Sequence, residues 1–467
     1  MTTDKTVDPH EFGARGDGVA NDTQAIQAAI DFCRANRRAT LTLRQGHAYV
    51  IDEPLRIHFS DFDMEGNGAT LRWINQGKPT GNLVDGHRFR HHGMLSIAGA
   101  VAPGDLKLMR GFTNKLATDA GYVSRVYLDN AASFQAGDYV HIGRPYLSEN
   151  TVLLNGDCVG NCPSNGRQEY IAGFDIVAKI IDTSGDSVSV DYHSPFDFSG
   201  VDFTQYFATK VEMVRNVSIR NLVLDDAVPW KSPAIGSNGP NPGQVVSGIG
   251  VIYGADIRIE NIEARNTKFP VVMVQYGHGI TSRNIRLEGA AYTGGGEGYV
   301  THYCGVQHGL VEDVSGIRCR HVTDFSYSAF CTLRRMRECS SFFYDFDLHG
   351  IWEHNITVEN LAGNVQIGNG WAHFPMMDSD IVFRDCELSS FVVQGHVFNL
   401  QFVNCSVNLG FPVRGRGPDS RLTYVCPVCP TSAEWRKLVP AHAESLNAWA
   451  WVPGGWERPL GEGEPTA

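Results

Sequence analysis

One short pattern recurs along the middle of the chain and limits what it can fold into. It reads apolar-x-apolar-x-Asn/Asp-apolar. Clear copies are Val217-Ser218-Ile219-Arg220-Asn221-Leu222, Ile257 to Ile262 around Asn261, Ile356 to Leu361 around Asn360, Ile381 to Cys386 around Asp385, and Leu400 to Cys405 around Asn404. Weaker copies centre on Asn284, Asp313 and Arg335. After a first gap of 40 residues, successive anchors are 23, 29, 22, 25, 25 and 19 residues apart. Alternation within each copy is the period of a strand with one buried face.

A period near two dozen residues with short alternating strands predicts one coil of a parallel β-helix. Leucine-rich repeats share the period but require Leu at fixed places and a helix per repeat, and neither is present. Propeller blades require about 40 residues each, which only the first gap offers. Asn and Asp tolerate the left-handed backbone conformation, so the anchors suit corners between strands. Alternate apolar residues then fill the interior, each coil about 4.8 Å above the last. The 50 glycines suit a chain that turns this often.

The N-terminal region fits the same architecture. Phe12-Gly13-Ala14-Arg15-Gly16-Asp17-Gly18-Val19-Ala20-Asn21-Asp22-Thr23 is turn-rich, and Ala25, Ile26, Ala29, Ile30 and Cys33 then follow helical spacing with Asp22 as N-cap. Ala39 to Leu43 and Ala48 to Ile51 read as strands. A helix here would cover the open edge of the coil stack. The run from 12 to 31 resembles the start of pectate-lyase-superfamily proteins, a group that includes phage tailspike depolymerases, mannuronan epimerases and polygalacturonase-like enzymes. The resemblance implies an all-β, right-handed parallel β-helix with an N-terminal capping helix. The expected division is 1–60 for the strand-helix cap, 61–106 for the first coils and 107–205 for a small β-rich insertion. The main β-helix follows over 206–408, and 409–467, rich in Trp, Pro and Gly, is a C-terminal cap or oligomer contact.

The net charge of −12, from 39 basic and 51 acidic residues, comes without a basic stripe, so no nucleic-acid partner is expected. No run of 18 apolar residues occurs, and Met1 to Phe12 carries no apolar stretch of signal-peptide length, so neither a membrane span nor classical secretion is expected. Most of the 11 cysteines lie in apolar strands and read as buried thiols. Cys158 with Cys162, and Cys426 with Cys429, are too far apart in sequence to suggest a four-ligand zinc site. No metal or other cofactor is expected.

Polar residues stacked on successive coils make a solenoid surface into a site. Eleven residues before Asp313, Arg335 and Asn360 lie His302, Asp324 and His349. This offset predicts an outward column of those three, with Phe346 and Leu348 turned into the core, as are Thr323, Phe325, Thr301 and Tyr303. Asp345 and Asp347 share the outward face of His349, and Arg320 lies one coil below. Asp324 and Asp347 would then stand in the separation range that glycosidases use, and a His beside a carboxylate can act as a base near neutral pH. The catalytic candidates are therefore Asp324, Asp347, His349 and His302. Arg320, Asp345, Tyr344 and Trp352 are the substrate-binding candidates. Tyr276, Tyr327 and Trp371 are further aromatics that either stack on sugars or pack in the core. The loop Val228 to Gln244, with Trp230 and Lys231, accounts for the long first gap.

Tyr344-Asp345-Phe346-Asp347-Leu348-His349-Gly350 also resembles the Y-G-F-D-P-H run of mannuronan epimerases and related lyases. Asp347, His349 and Tyr344 match, while Asp345 and Leu348 replace its Gly and Pro. Gly350 fits the D-x-H-G stretches of phage tail proteins. The resemblances imply a tailspike-like depolymerase of a bacterial surface polysaccharide, a homotrimer on a virion tail or outside the cell, in contact with other tail proteins. A uronate lyase or C5-epimerase, and a non-catalytic glycan-binding or structural virion protein, are the alternatives.

Overall fold

The computed structural model describes residues 5–36, 39–74, 93–119, 121–143, 176–195, 203–227, 247–291, 298–348, 353–367, 377–393, 396–407, 421–425, 447–452 and 455–457. Among these, the coils contribute strands to a long sheet and to a second sheet, of seventeen and ten strands respectively. Val214–Asp226 pairs in parallel with Gly254–Arg265, which pairs with Thr281–Glu288 and then Leu310–Cys319. In the second sheet, Ser247–Ile252, Val272–Gln275, Thr301–Cys304, Thr323–Ser326 and Phe346–Leu348 follow one another in parallel. The coils are thus stacked as the sequence repeat predicts.

The anchors explain why the chain turns where it does. Asn221, Asn261, Asn284, Asp313, Arg335, Asn360, Asp385 and Asn404 all have φ between 53° and 60°. Left-handed backbone costs an ordinary L-residue about 1–2 kcal/mol, and Asn offsets part of that cost by local hydrogen bonding. Here the side chains bond to one another. Asn261 Nδ2 donates to Asn221 Oδ1 at 2.8 Å, and Asn284 Nδ2 to Asn261 Oδ1 at 2.8 Å. Arg335, the least typical anchor, makes two bonds to Asp313 at 2.6 and 2.8 Å. Two residues before a corner and one after it, the side chains point inward: Ile219, Leu222, Ile259, Ile262, Ile285, Val311 and Val314 all belong to one continuous apolar core.

At the N-terminal end, the helix Thr23–Ala35 buries Ile26, Ala29, Ile30 and Cys33 against that core. Asp22 sits at the N-cap but makes no side-chain cap bond. Its carboxylate instead accepts from Arg15 N at 2.6 Å and Gly16 N at 3.1 Å, tying down the turn before the helix. Asn21 Oδ1 accepts from Thr23 N in its place. No described helix is long and apolar enough to cross a membrane.

Between two coils the chain makes an excursion. Ala100–Thr118, Gly121–Leu128, Tyr139–Gly143, Ile176–Ser184, Ser187–Val190 and Phe207–Glu212 form a closed antiparallel barrel. Its own core includes Val126, Leu128, Val140, Ile142, Ala178, Ile180 and Val188. The excursion begins and ends at one place, because Ala100 pairs with Glu212. Phe62–Trp73 lies directly against Val214–Asp226, with Phe62 opposite Val217 and Trp73 opposite Asp226. The barrel rests on the coil stack through a second apolar cluster in which Tyr139, Val177 and Val211 meet Ile252, Tyr253, Ala255 and Tyr276. Past 409, Arg421–Val425 still pairs in parallel with His396–Val403, so the long sheet outlasts the sequence pattern.

Candidate functional site

The second sheet carries the chemistry. Thr301, Tyr303, Thr323, Phe325, Phe346 and Leu348 are fully buried on its inner side, and the two threonine hydroxyls satisfy each other at 2.9 Å. On the opposite side, parallel pairing places His302 against Asp324, Asp324 against Asp347, and Asp347 against Gln366. Pairing sets Asp347 beside Asp324, as expected for that carboxylate pair, but the 11-residue offset used to align this coil with the one before does not hold. The strand residue precedes its anchor by 11 residues in one coil (Asp324, Arg335) and by 13 in the next (Asp347, Asn360), so a fixed offset fails there. His349 and Trp352 lie outside the described residues, as do Trp230, Lys231, Trp371 and the pairs Cys158/Cys162 and Cys426/Cys429.

Each carboxylate of the column has an imidazole beside it. His302 Nε2 lies 3.4 Å from Asp324 Oδ1. Ser326 bridges the two, donating to Asp324 Oδ1 at 3.0 Å with its oxygen 3.3 Å from His302 Nε2. Asp347 Oδ2 lies 3.6 Å from His321 Nε2, and Gln366 Nε2 donates to Asp347 Oδ1 at 3.2 Å. His321 Nδ1 is 2.7 Å from the Tyr344 carbonyl, an acceptor only, so Nδ1 carries the proton. Nε2 then faces the Asp347 carboxylate.

These groups are sequestered. His302 is 5% exposed, and Asp324 and Asp347 1% each. Tyr299, itself buried, sets its ring edge-on to both His302, at 5.3 Å, and His321, at 5.0 Å, and so spans two coils. The Tyr344 phenol is pushed above its usual pKa by burial and, secondarily, by the charge of Asp347. It therefore stays protonated beside that carboxylate.

The remaining candidates are placed differently. Arg320 lies with its guanidinium 4.3 Å from the centre of the Phe343 ring, where cation–π attraction holds it. Asp345 clasps a turn: it accepts from Ser341 N at 3.2 Å and from Asn364 N at 2.9 Å. A Cβ on Gly363 would stand 2.6 Å from Asp345 Oδ2, so the clasp also requires glycine there. Its carboxylate accepts from these two backbone amides. Tyr276 belongs to the barrel seam, and Tyr327 N donates to the buried Glu353 at 2.8 Å. His321, Ser326, Gln366 and Tyr299 were not singled out by sequence. Ser326 lies two residues beyond Asp324 on the same face, which strand alternation would have found. His321 precedes the strand, where alternation gives no direction.

Stacked coils, alternating cores and left-handed corners together define the molecule as a right-handed parallel β-helix protein. No family model matches the sequence, and no curated protein matches it. Among solved structures, the tailspike protein gp49 of Pseudomonas phage LKA1 superposes with a TM-score of 0.57 at 14% identity, over 90% of this chain and 71% of that one. The surface adhesin PfbA of Streptococcus pneumoniae gives 0.45 at 9% identity, over 91% and 85%. The A-module of the mannuronan C-5 epimerase AlgE6 of Azotobacter vinelandii gives 0.38 at 12% identity, over 90% and 86%. At these identities the likeness is one of fold, and function has to be argued from the site.

Proposed function

We propose that this protein cleaves a polysaccharide laid across the second sheet, with Asp324 and Asp347 dividing the acid and the nucleophile or base roles of a glycoside hydrolase. The observation that carries the reading is the alignment of His302, Asp324, Asp347 and Gln366 on consecutive coils, with His321 Nε2 3.6 Å from Asp347 Oδ2. In this scheme Asp347, in its protonated form, protonates the leaving oxygen. Asp324, fixed by Ser326 and His302, remains the anionic partner. The tailspike of Pseudomonas phage LKA1 gives the fold a setting in which such a site would meet a bacterial surface glycan. A homotrimer, a place on a virion tail or outside the cell, and other tail proteins as partners belong to the same reading.

The burial of the column favours a second reading, a non-catalytic glycan-binding or structural protein in which a hydrogen-bonded ladder only joins the coils. Digestion of a panel of capsular and lipopolysaccharide glycans, with mass spectrometry of the products, separates the two. Hydrolysis gives new reducing ends without unsaturated uronate absorbance, and elimination gives that absorbance. Asp324→Asn and Asp347→Asn are each expected to lower turnover by about 10²–10⁴-fold with the fold retained. Binding without product, or wild-type rates in both variants, would remove the column as a catalytic site.

A further inference from the structure

A second polar cluster lies away from the column, where the barrel meets the coils. Asp191 follows the barrel strand Ser187–Val190, while His278 and His308 come from successive coils of the β-helix. One donor atom from each lies within 4.8 Å of the others, the one such grouping of three among the described residues. His278 Nε2 is 2.8 Å from Asp191 Oδ2.

The three side chains are held from outside the cluster. Asp191 Oδ1 accepts from Lys179 N at 2.7 Å, which leaves Oδ2 turned toward His278. Tyr139 of the barrel packs edge-on to the His278 ring at 5.2 Å. His308 sits on a left-handed corner, φ 55°, and its ring stacks on Phe330 at 5.0 Å and 13°. The neighbouring corner in the coil before it is Gly279, φ 65°, which has no side chain to occupy the space. The His278 and His308 rings are 5.0 Å apart. Asp191 and His278 are half-buried and His308 is exposed, so the cluster opens to solvent on one side.

We propose that Asp191, His278 and His308 bind one divalent transition-metal ion of the zinc class and that this ion fastens the barrel to the β-helix. Two imidazoles and one carboxylate select borderline ions such as Zn(II) over Mg(II) or Ca(II), which want oxygen alone. Three protein ligands leave the fourth position of a tetrahedral ion to water on the open side. The Lys179 amide serves as the outer partner that orients the carboxylate. Without the ion, the His278–Asp191 hydrogen bond holds the same groups together.

The test uses the whole chain, stripped with a chelator and titrated with Zn(II) alone by calorimetry, and with Co(II) for its visible spectrum. One equivalent is expected to bind, with Co(II) bands of low-symmetry coordination and a higher melting temperature in Zn(II). His308→Gln alters an exposed side chain and should fold. In it, Zn(II) affinity should fall about tenfold or more and the thermal shift should vanish. Asp191→Asn should do the same. Absence of stoichiometric binding, equal affinity in wild type and His308→Gln, or binding with no thermal shift would each overturn the proposal.

Discussion

His354 shows how one buried titratable group sets a pH response. It is fully buried between the modules, with Nε2 3.1 Å from the Tyr192 hydroxyl of the barrel and Nδ1 2.8 Å from Asn355 Oδ1. Nδ1–H donates to Asn355 and Nε2 accepts from Tyr192, so the neutral ring is satisfied. Burial lowers its pKa to about 3, against partial opposition from the Asn355 bond. The unfolded chain takes up a proton near pH 6.5 that the folded one refuses. Stability from this group is therefore complete above that pH and falls as pH drops toward 3, by up to about 5 kcal/mol. Urea midpoints between pH 7 and 4 are expected to fall less steeply in His354→Gln than in wild type. Parallel slopes would assign the acid sensitivity elsewhere.

Corners and strands differ in how far they can be read from sequence. An anchor needs a residue that accepts positive φ and hydrogen-bonds its neighbour, and Asn and Asp meet both needs visibly. Arg335 was found only through its apolar flanks, and works through Asp313. The inward strand positions around Asp324 and Asp347 were legible because alternation is strict. The relative register of the two coils was not, because the stretch between strand and anchor varies in length and only pairing fixes it. Partners supplied from outside the strand, such as His321, and clusters shared between modules, such as Asp191 with His278 and His308, leave no periodic trace. For the corners, Asn261→Ala is expected to cost about 2–3 kcal/mol, since it loses the αL preference and the bonds to Asn221 and from Asn284. Asn261→Gly keeps the backbone and loses only the bonds to Asn221 and from Asn284, about 1 kcal/mol together at this exposed ladder. Equal losses in urea titrations would mean that φ 57° is not what Asn supplies at this corner.

At the scale of the molecule, coil continuity and the barrel are separable. Coil interfaces pair directly across the excursion, with Val217 on Phe62 and Ile249 on Leu95. Replacing 100–212 by a short glycine turn is expected to leave the strand signature in circular dichroism and a cooperative melt. Loss of both would show that the barrel is needed to template the coils. The shared doorway at Ala100 and Glu212 has a wider consequence. A solenoid interrupted at a single step can exchange its passenger without re-registering any coil above or below. Such a chain can be refitted with a different side module in one genetic event, while the scaffold of stacked coils stays as it was.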